Sequence, residues 1–155
     1  MRTLVLMVIL QQSVAVPVTN GDWIGTLAFH DSRGDYVSPV TATLTIADGK
    51  AVTGRWHSVR TTSGGTIEGT FMDGRFRVKI TLYGGATVTT AAGATEKVAE
   101  ERCAAETEFI GDLLPTGVIR LTAKRVIFDD PIKRARNKNC EDLTDVMWLL
   151  QPHVH

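Results

Sequence analysis

Two stretches in the middle of the chain alternate apolar and polar residues with a period of two. Val40, Ala42, Leu44 and Ile46 are interleaved with Thr41, Thr43 and Thr45. Phe76, Val78, Ile80 and Leu82 are interleaved with Arg75, Arg77, Lys79 and Thr81. Side chains of an extended strand point to opposite faces in turn, so each stretch carries one apolar and one polar face. One-sided strands belong to antiparallel sheets, because strands covered by helices on both sides read as unbroken apolar runs. Asp48-Gly49 and Asp73-Gly74 stand between such stretches. Asp-Gly suits the type I′ hairpin turn, which needs positive φ at both central residues. Ser63-Gly64-Gly65, Gly84-Gly85 and Pro115-Thr116-Gly117 add further turn signals. The predicted strands are 22–30, 39–47, 50–58, 65–72, 75–83, 102–112, 117–128 and 144–151. Helix formers between Ala94 and Ala105 predict one short helix over 94–101, feeding the sixth strand.

Glycine recurs on the apolar faces. Gly25 shares a face with Trp23, Leu27 and Phe29; Gly54 with Val52 and Trp56; Gly69 with Ile67 and Phe71. Gly111 stands in a similar setting before Leu113. An inward glycine weakens a strand unless the backbone must bend or approach a neighbour closely. Strongly coiled sheets need such positions, often with a bulky residue covering the gap. The expectation is an all-β fold: an antiparallel up-and-down meander of about eight strands, closed or strongly curved into a barrel, with at most one short helix.

The first residues break the pattern. Met1-Arg2 is a basic start, Thr3–Leu10 is an apolar run, and Ser13-Val14-Ala15 offers the small residues that a signal peptidase reads. The run is too short to span a bilayer, which takes about twenty residues. Residues 1–15 are therefore expected to be a secretory signal, and residues 20–155 a single secreted or periplasmic domain. Cys103 and Cys140 are the two cysteines. In an exported protein they are expected to form one disulfide, contributing about 4 kcal/mol by the loop-entropy argument. Seventeen basic residues balance seventeen acidic ones. That neutrality speaks against nucleic acid as a partner, since phosphate binding calls for a basic excess.

Trp23-Ile24-Gly25-Thr26, followed by Leu44–Gly49 and Val52-Thr53-Gly54-Arg55-Trp56, resembles the calycin barrels, and the opening is similar to that of the avidin branch. The resemblance covers residues 21–83. It implies an eight-stranded up-and-down barrel of avidin or lipocalin type, with a cup for a small apolar or heterocyclic ligand. The order Trp-x-Gly-Thr departs from the avidin opening, and no residues match those that grip biotin, so biotin is not implied.

Trp23 and Trp56 face inward by parity. With Trp148 and Phe71 they form the candidate apolar walls of a ligand site, set against the alternative that they simply fill the core. Arg125 interrupts the inward set Ile119, Leu121, Ala123 and Ile127. Taken literally it points into the barrel and could meet a ligand carboxylate; a β-bulge would instead turn it outward. His30 and His57 fall on the outward face, and His153-Val154-His155 is a weak metal pattern, so no metal or other cofactor is expected. No nucleophile elbow, phosphate loop or dinucleotide fingerprint occurs, which leans against an enzyme without excluding one. Lys133–Lys138 is a basic run in the loop that the disulfide would close. The first functional expectation is a monomeric barrel that binds a small apolar ligand. The alternatives are an envelope interaction module, acting through a sheet edge or the 133–138 loop on a partner protein, and an uncharacterised enzyme.

Overall fold

The computed structural model describes residues 20–47, 51–61, 63–84, 87–89, 95–97, 103–128 and 140–154. The expected 1–15 signal, the expected Asp48-Gly49 turn and the 133–138 basic run lie outside them. Ten strands occur among the described residues: β1 (Gly21–Asp31), β2 (Gly34–Ala47), β3 (Ala51–Ser58), β4 (Gly64–Met72), β5 (Arg75–Gly84), β6 (Thr87–Thr89), β7 (Thr95–Lys97), β8 (Cys103–Leu113), β9 (Ile119–Val126) and β10 (Leu143–Pro152). Eight of them close into an antiparallel barrel in the order β1-β10-β9-β8-β5-β4-β3-β2, and β6 pairs with β7 as a separate ribbon. This is the expected up-and-down meander. The described part of the expected 94–101 helix, residues 95–97, is strand β7 instead. Helix propensity there gives way to pairing with β6, in the register Thr87↔Lys97 to Thr89↔Thr95.

The turn at Asp73-Gly74 has φ values of 52° and 76°, the double positive φ for which Asp-Gly was read as a type I′ turn. Inward residues of all eight barrel strands form one core. It contains Trp23, Trp56, Trp148, Phe76 and Phe109 with aliphatic residues between them. Ala42 lies opposite both Trp23 and Trp56, so a small residue makes room for two indoles. Trp148 stands edge-on to Trp56, with ring centroids 4.9 Å apart, and to Phe109 at 6.2 Å. Perpendicular rings place the positive edge of one on the negative face of another, which adds to plain area burial.

The inward glycines are sites of close backbone approach. A Cβ on Gly25 would lie 1.7 Å from the Leu149 carbonyl oxygen, and one on Gly65 would lie 1.6 Å from that of Thr81. Cross-strand pairs between β4 and β5 skip Gly65 and Thr66. At this gap the Trp56 indole N–H donates to the Thr81 carbonyl at 3.0 Å. Gly65→Ala is therefore expected to push β5 away and break that bond. The loss should be about 1–3 kcal/mol in chemical denaturation, the usual cost of overpacking a tight site.

Outside, the β5 and β8 wall is charged. Arg75 pairs with Asp112, Arg77 with Glu108 and Lys79 with Glu106, at 3.9, 3.5 and 3.0 Å. The last two run diagonally across a ladder in which Lys79 sits opposite Glu108. Exposed pairs contribute little stability each. Their sign pattern does favour this register, which no short hairpin imposes because the β6–β7 excursion separates β5 from β8. A membrane barrel carries its apolar face outward; here the apolar residues are inside and these charges are outside. No helix among the described residues is long and apolar enough to cross a membrane.

Cys103 at the start of β8 and Cys140 shortly before β10 form a disulfide. It joins two strands that are separated in the barrel by β9, at the end where β1 meets β2 and β3 meets β4.

Candidate functional site

Described residues line a cavity of about 170 Å³ at that same end of the barrel. Its lining is apolar at Leu27, Phe29, Trp56, Leu82, Phe128 and Leu143, and polar at Asp31, Arg33, Ser38, Ser58, Thr61, Ser63 and Tyr83. A dry cavity of about 150 Å³ takes a benzene ring, so this one has room for a single ring.

Parity along β1 builds one side of the mouth. Trp23, Leu27, Phe29 and Asp31 share the inward face, and the last two lie where the β1–β2 hairpin runs beyond β3. Residues 34–38 of β2 have no partner on β3, whose last pair with β2 is Val40↔Ser58. Tyr36 lies opposite Phe29 and stacks on it, with centroids 5.7 Å apart. The Arg33 guanidinium carbon sits 5.4 Å from the centre of the Tyr36 ring, a cation–π contact.

Asp31 is the one buried charged residue among those described, with 4% of its surface exposed. Both oxygens of its carboxylate are engaged. Oδ1 accepts the Arg33 backbone N–H at 2.8 Å, and Oδ2 accepts Nη2 at 2.7 Å and Nε at 3.2 Å. The Arg33 hydrogen bonds hold the Asp31 carboxyl below its ordinary range, against the opposing effect of burial. The same pairing raises Arg33. A carboxylate locked in this way is a weak general base, because its affinity for a proton is low and three of its about four lone-pair sites are occupied. Its work is to fix the Arg33 fork at the lip of the mouth.

The sign of the pH dependence follows. The folded-state value of Asp31 is depressed, so its contribution to stability is complete above the ordinary aspartate range and is lost as the pH falls through the lower folded value. Asp31→Asn should be less stable than the parent at neutral pH. That difference should shrink on acidification toward the folded value. Denaturation curves of both proteins across the acid range check this, and a difference independent of pH would contradict it.

Further contacts anchor the hairpin. Ser32 donates to Glu141, just after Cys140. Outside, His30 pairs with Asp35 at 2.8 Å.

The residues expected to form a ligand wall are dispersed. Trp23 lies toward the opposite end of the barrel, where β1 begins, and is buried in the core. Phe71 is half-buried near the Asp73-Gly74 turn and packs on Phe76 at 4.4 Å, also far along the barrel from the mouth. Trp148 is fully buried among core rings. Trp56 alone of this set lines the mouth. Arg125 does not point into the barrel. It is exposed and bonds to Asp142. The cause is a bulge: the β1–β10 register slips by one residue between Ala28 and His30, and Asp145 takes a φ of 50°. Inward parity on β10 changes between Leu143 and Val146, and on the neighbouring β9 between Leu121 and Val126. Arg125 thereby moves to the outer face.

Sequence reasoning passed over Asp31, Arg33, Ser38, Ser58, Thr61 and Ser63. The signal for Asp31 was present: it continues the inward parity of Trp23, Leu27 and Phe29. Among the described residues no group of three or more His, Cys, Asp or Glu side chains could hold a metal ion. No family model, curated protein or solved structure matches the chain.

Proposed function

We propose that this domain is an exported, calycin-like binding barrel that holds a ring-sized apolar group of a small ligand in the mouth between the β1–β2 hairpin and the start of β10. The observation that carries this reading is the cavity itself: an apolar floor ending in Trp56 beneath a rim of convergent polar side chains. Small-ligand sites combine these two features, and the mouths of β-barrels are a usual place for them. The site is small, so the ligand's remaining atoms would extend past Arg33 and Thr61 toward solvent. The disulfide supports an oxidising compartment, in line with the signal-like pattern of residues 1–15. The alternative envelope module would use the stretches of sheet edge left by the shorter pairings, residues 34–38 of β2 and the start of β8, or the 133–138 loop, which lies outside the described residues.

Native mass spectrometry of the protein prepared from an oxidising compartment tests the proposal. The expected result is a discrete adduct on the parent that is lost on denaturation and is missing from Ser63→Trp, whose indole would fill the mouth from its rim. An adduct that persists in Ser63→Trp would place binding elsewhere.

A further inference from the structure

The mouth's own hydrogen bonds restrict what it can recognise. Asp31 and Arg33 are the two residues of opposite formal charge lining the cavity, and they neutralise each other. An entering anion would reach only the Arg33 N–H groups that Asp31 leaves free, and would then sit beside a buried carboxylate. An entering cation would find Asp31 enclosed and its oxygens occupied. Either ion would also lose its hydration against an apolar floor, which is costly without a partner.

Two rim hydroxyls, those of Ser38 and Thr61, keep an O–H to donate. A hydroxyl has one O–H and two lone pairs. Ser58 Oγ accepts the N–H groups of Arg60 at 3.3 Å and Thr61 at 3.2 Å, so its lone pairs are used. Its proton is then directed to Ser38 Oγ, 3.4 Å away, which leaves the Ser38 O–H free to donate. Thr61 Oγ1 accepts the Ser63 N–H at 3.2 Å and keeps its own O–H for a ligand. The Arg33 guanidinium can only donate. Three elements, the β1–β2 turn, the start of β2 and the loop after β3, thus present donors around an apolar cup.

Taking the mouth as the binding site proposed above, we infer that its ligand is uncharged and offers a hydrogen-bond acceptor, a carbonyl or ether oxygen, to the rim while its ring sits on Trp56. The selectivity comes from the Asp31–Arg33 pair, which removes net charge, and from the backbone N–H groups that occupy both lone pairs of Ser58 and one of Thr61.

Four single-ring probes test this on the disulfide-bonded full chain by isothermal titration: acetophenone, ethylbenzene, benzoate and benzylammonium. Acetophenone should bind most tightly. Ethylbenzene should bind about fivefold more weakly, the effect of one ordinary hydrogen bond. Benzoate and benzylammonium should be weaker still. Thr61→Val should lower acetophenone affinity more than it lowers ethylbenzene affinity. If either ion matches or exceeds acetophenone, or if ethylbenzene equals it, or if Thr61→Val weakens both neutral probes alike, the inference fails while the binding site stands. If none of the four binds, the proposed site fails, and this inference with it.

Discussion

Replacing Cys103 and Cys140 together by serine is expected to lower the stability of the domain by about 4 kcal/mol, on the loop-entropy relation for cysteines 37 positions apart. The bond joins β8 to the approach of β10, across β9. Without it the unfolded chain regains the freedom of a long loop. Both cysteines are buried, so the serine hydroxyls would also have to find partners in the core. Glu141, next to Cys140, receives the Ser32 hydroxyl, so the double variant should also loosen the β1–β2 hairpin at the mouth. Urea denaturation should show a much lower midpoint, and hydrogen exchange should show faster opening of the amides near Asp31 than of those near Asp73. A loss below about 1 kcal/mol would mean that the loop between the cysteines is already constrained in the unfolded chain.

The second large effect concerns Trp148. Its ring is fully buried and touches Trp56 and Phe109 edge-on. Trp148→Ala should cost about 3–5 kcal/mol, the range for removing a large aromatic side chain from a core. Trp148→Phe should cost far less than its lost volume suggests. The Trp148 Nε1 group is buried and has no hydrogen-bond partner among the described residues. A buried unsatisfied donor costs about 1–3 kcal/mol, and phenylalanine removes it. Two denaturation curves decide this: the phenylalanine variant should lie close to the parent and the alanine variant far below. Equal losses would show that the indole N–H is satisfied in solution.

Much of the barrel was legible because each strand buries one face. The alternation of Val40 to Ile46 and of Phe76 to Leu82 states directly which side chains meet the core, and Asp73-Gly74 marks its hairpin. The inward glycines gave the curvature: Gly25, Gly54, Gly69 and Gly111 all meet a neighbouring strand's carbonyl where a Cβ would stand. Gly65 was read as part of a turn and is a further such position. The start of β2 was missed because Pro39 looks like the beginning of a strand. It lies at the point where pairing with β3 ends and its carbonyl accepts the Val59 N–H, so its lack of an N–H donor is tolerated there. That omission hid the projecting β1–β2 hairpin.

The site was harder to read for two physical reasons. A bulge changes parity without leaving a mark in composition, which is why Arg125 could be read either way. The mouth assembles Asp31 and Arg33 from one turn, Ser58 and Thr61 from another loop, and Leu143 from the last strand. Only closure of the barrel brings these together. Tryptophan drew attention because it is large and scarce, but size favours the packed centre of an eight-stranded barrel, and Trp23 and Trp148 lie there.

The central claim is that the cavity at Asp31 and Trp56 is a binding site. The most direct measurement is the amide and indole spectrum of the 15N-labelled, disulfide-bonded protein during titration with acetophenone. Saturable shifts confined to Leu27, Phe29, Arg33, Ser58, Thr61, Leu82 and Leu143, together with the Trp56 indole, are the predicted result. No shift, or shifts spread over the outer β5 and β8 wall, would contradict it.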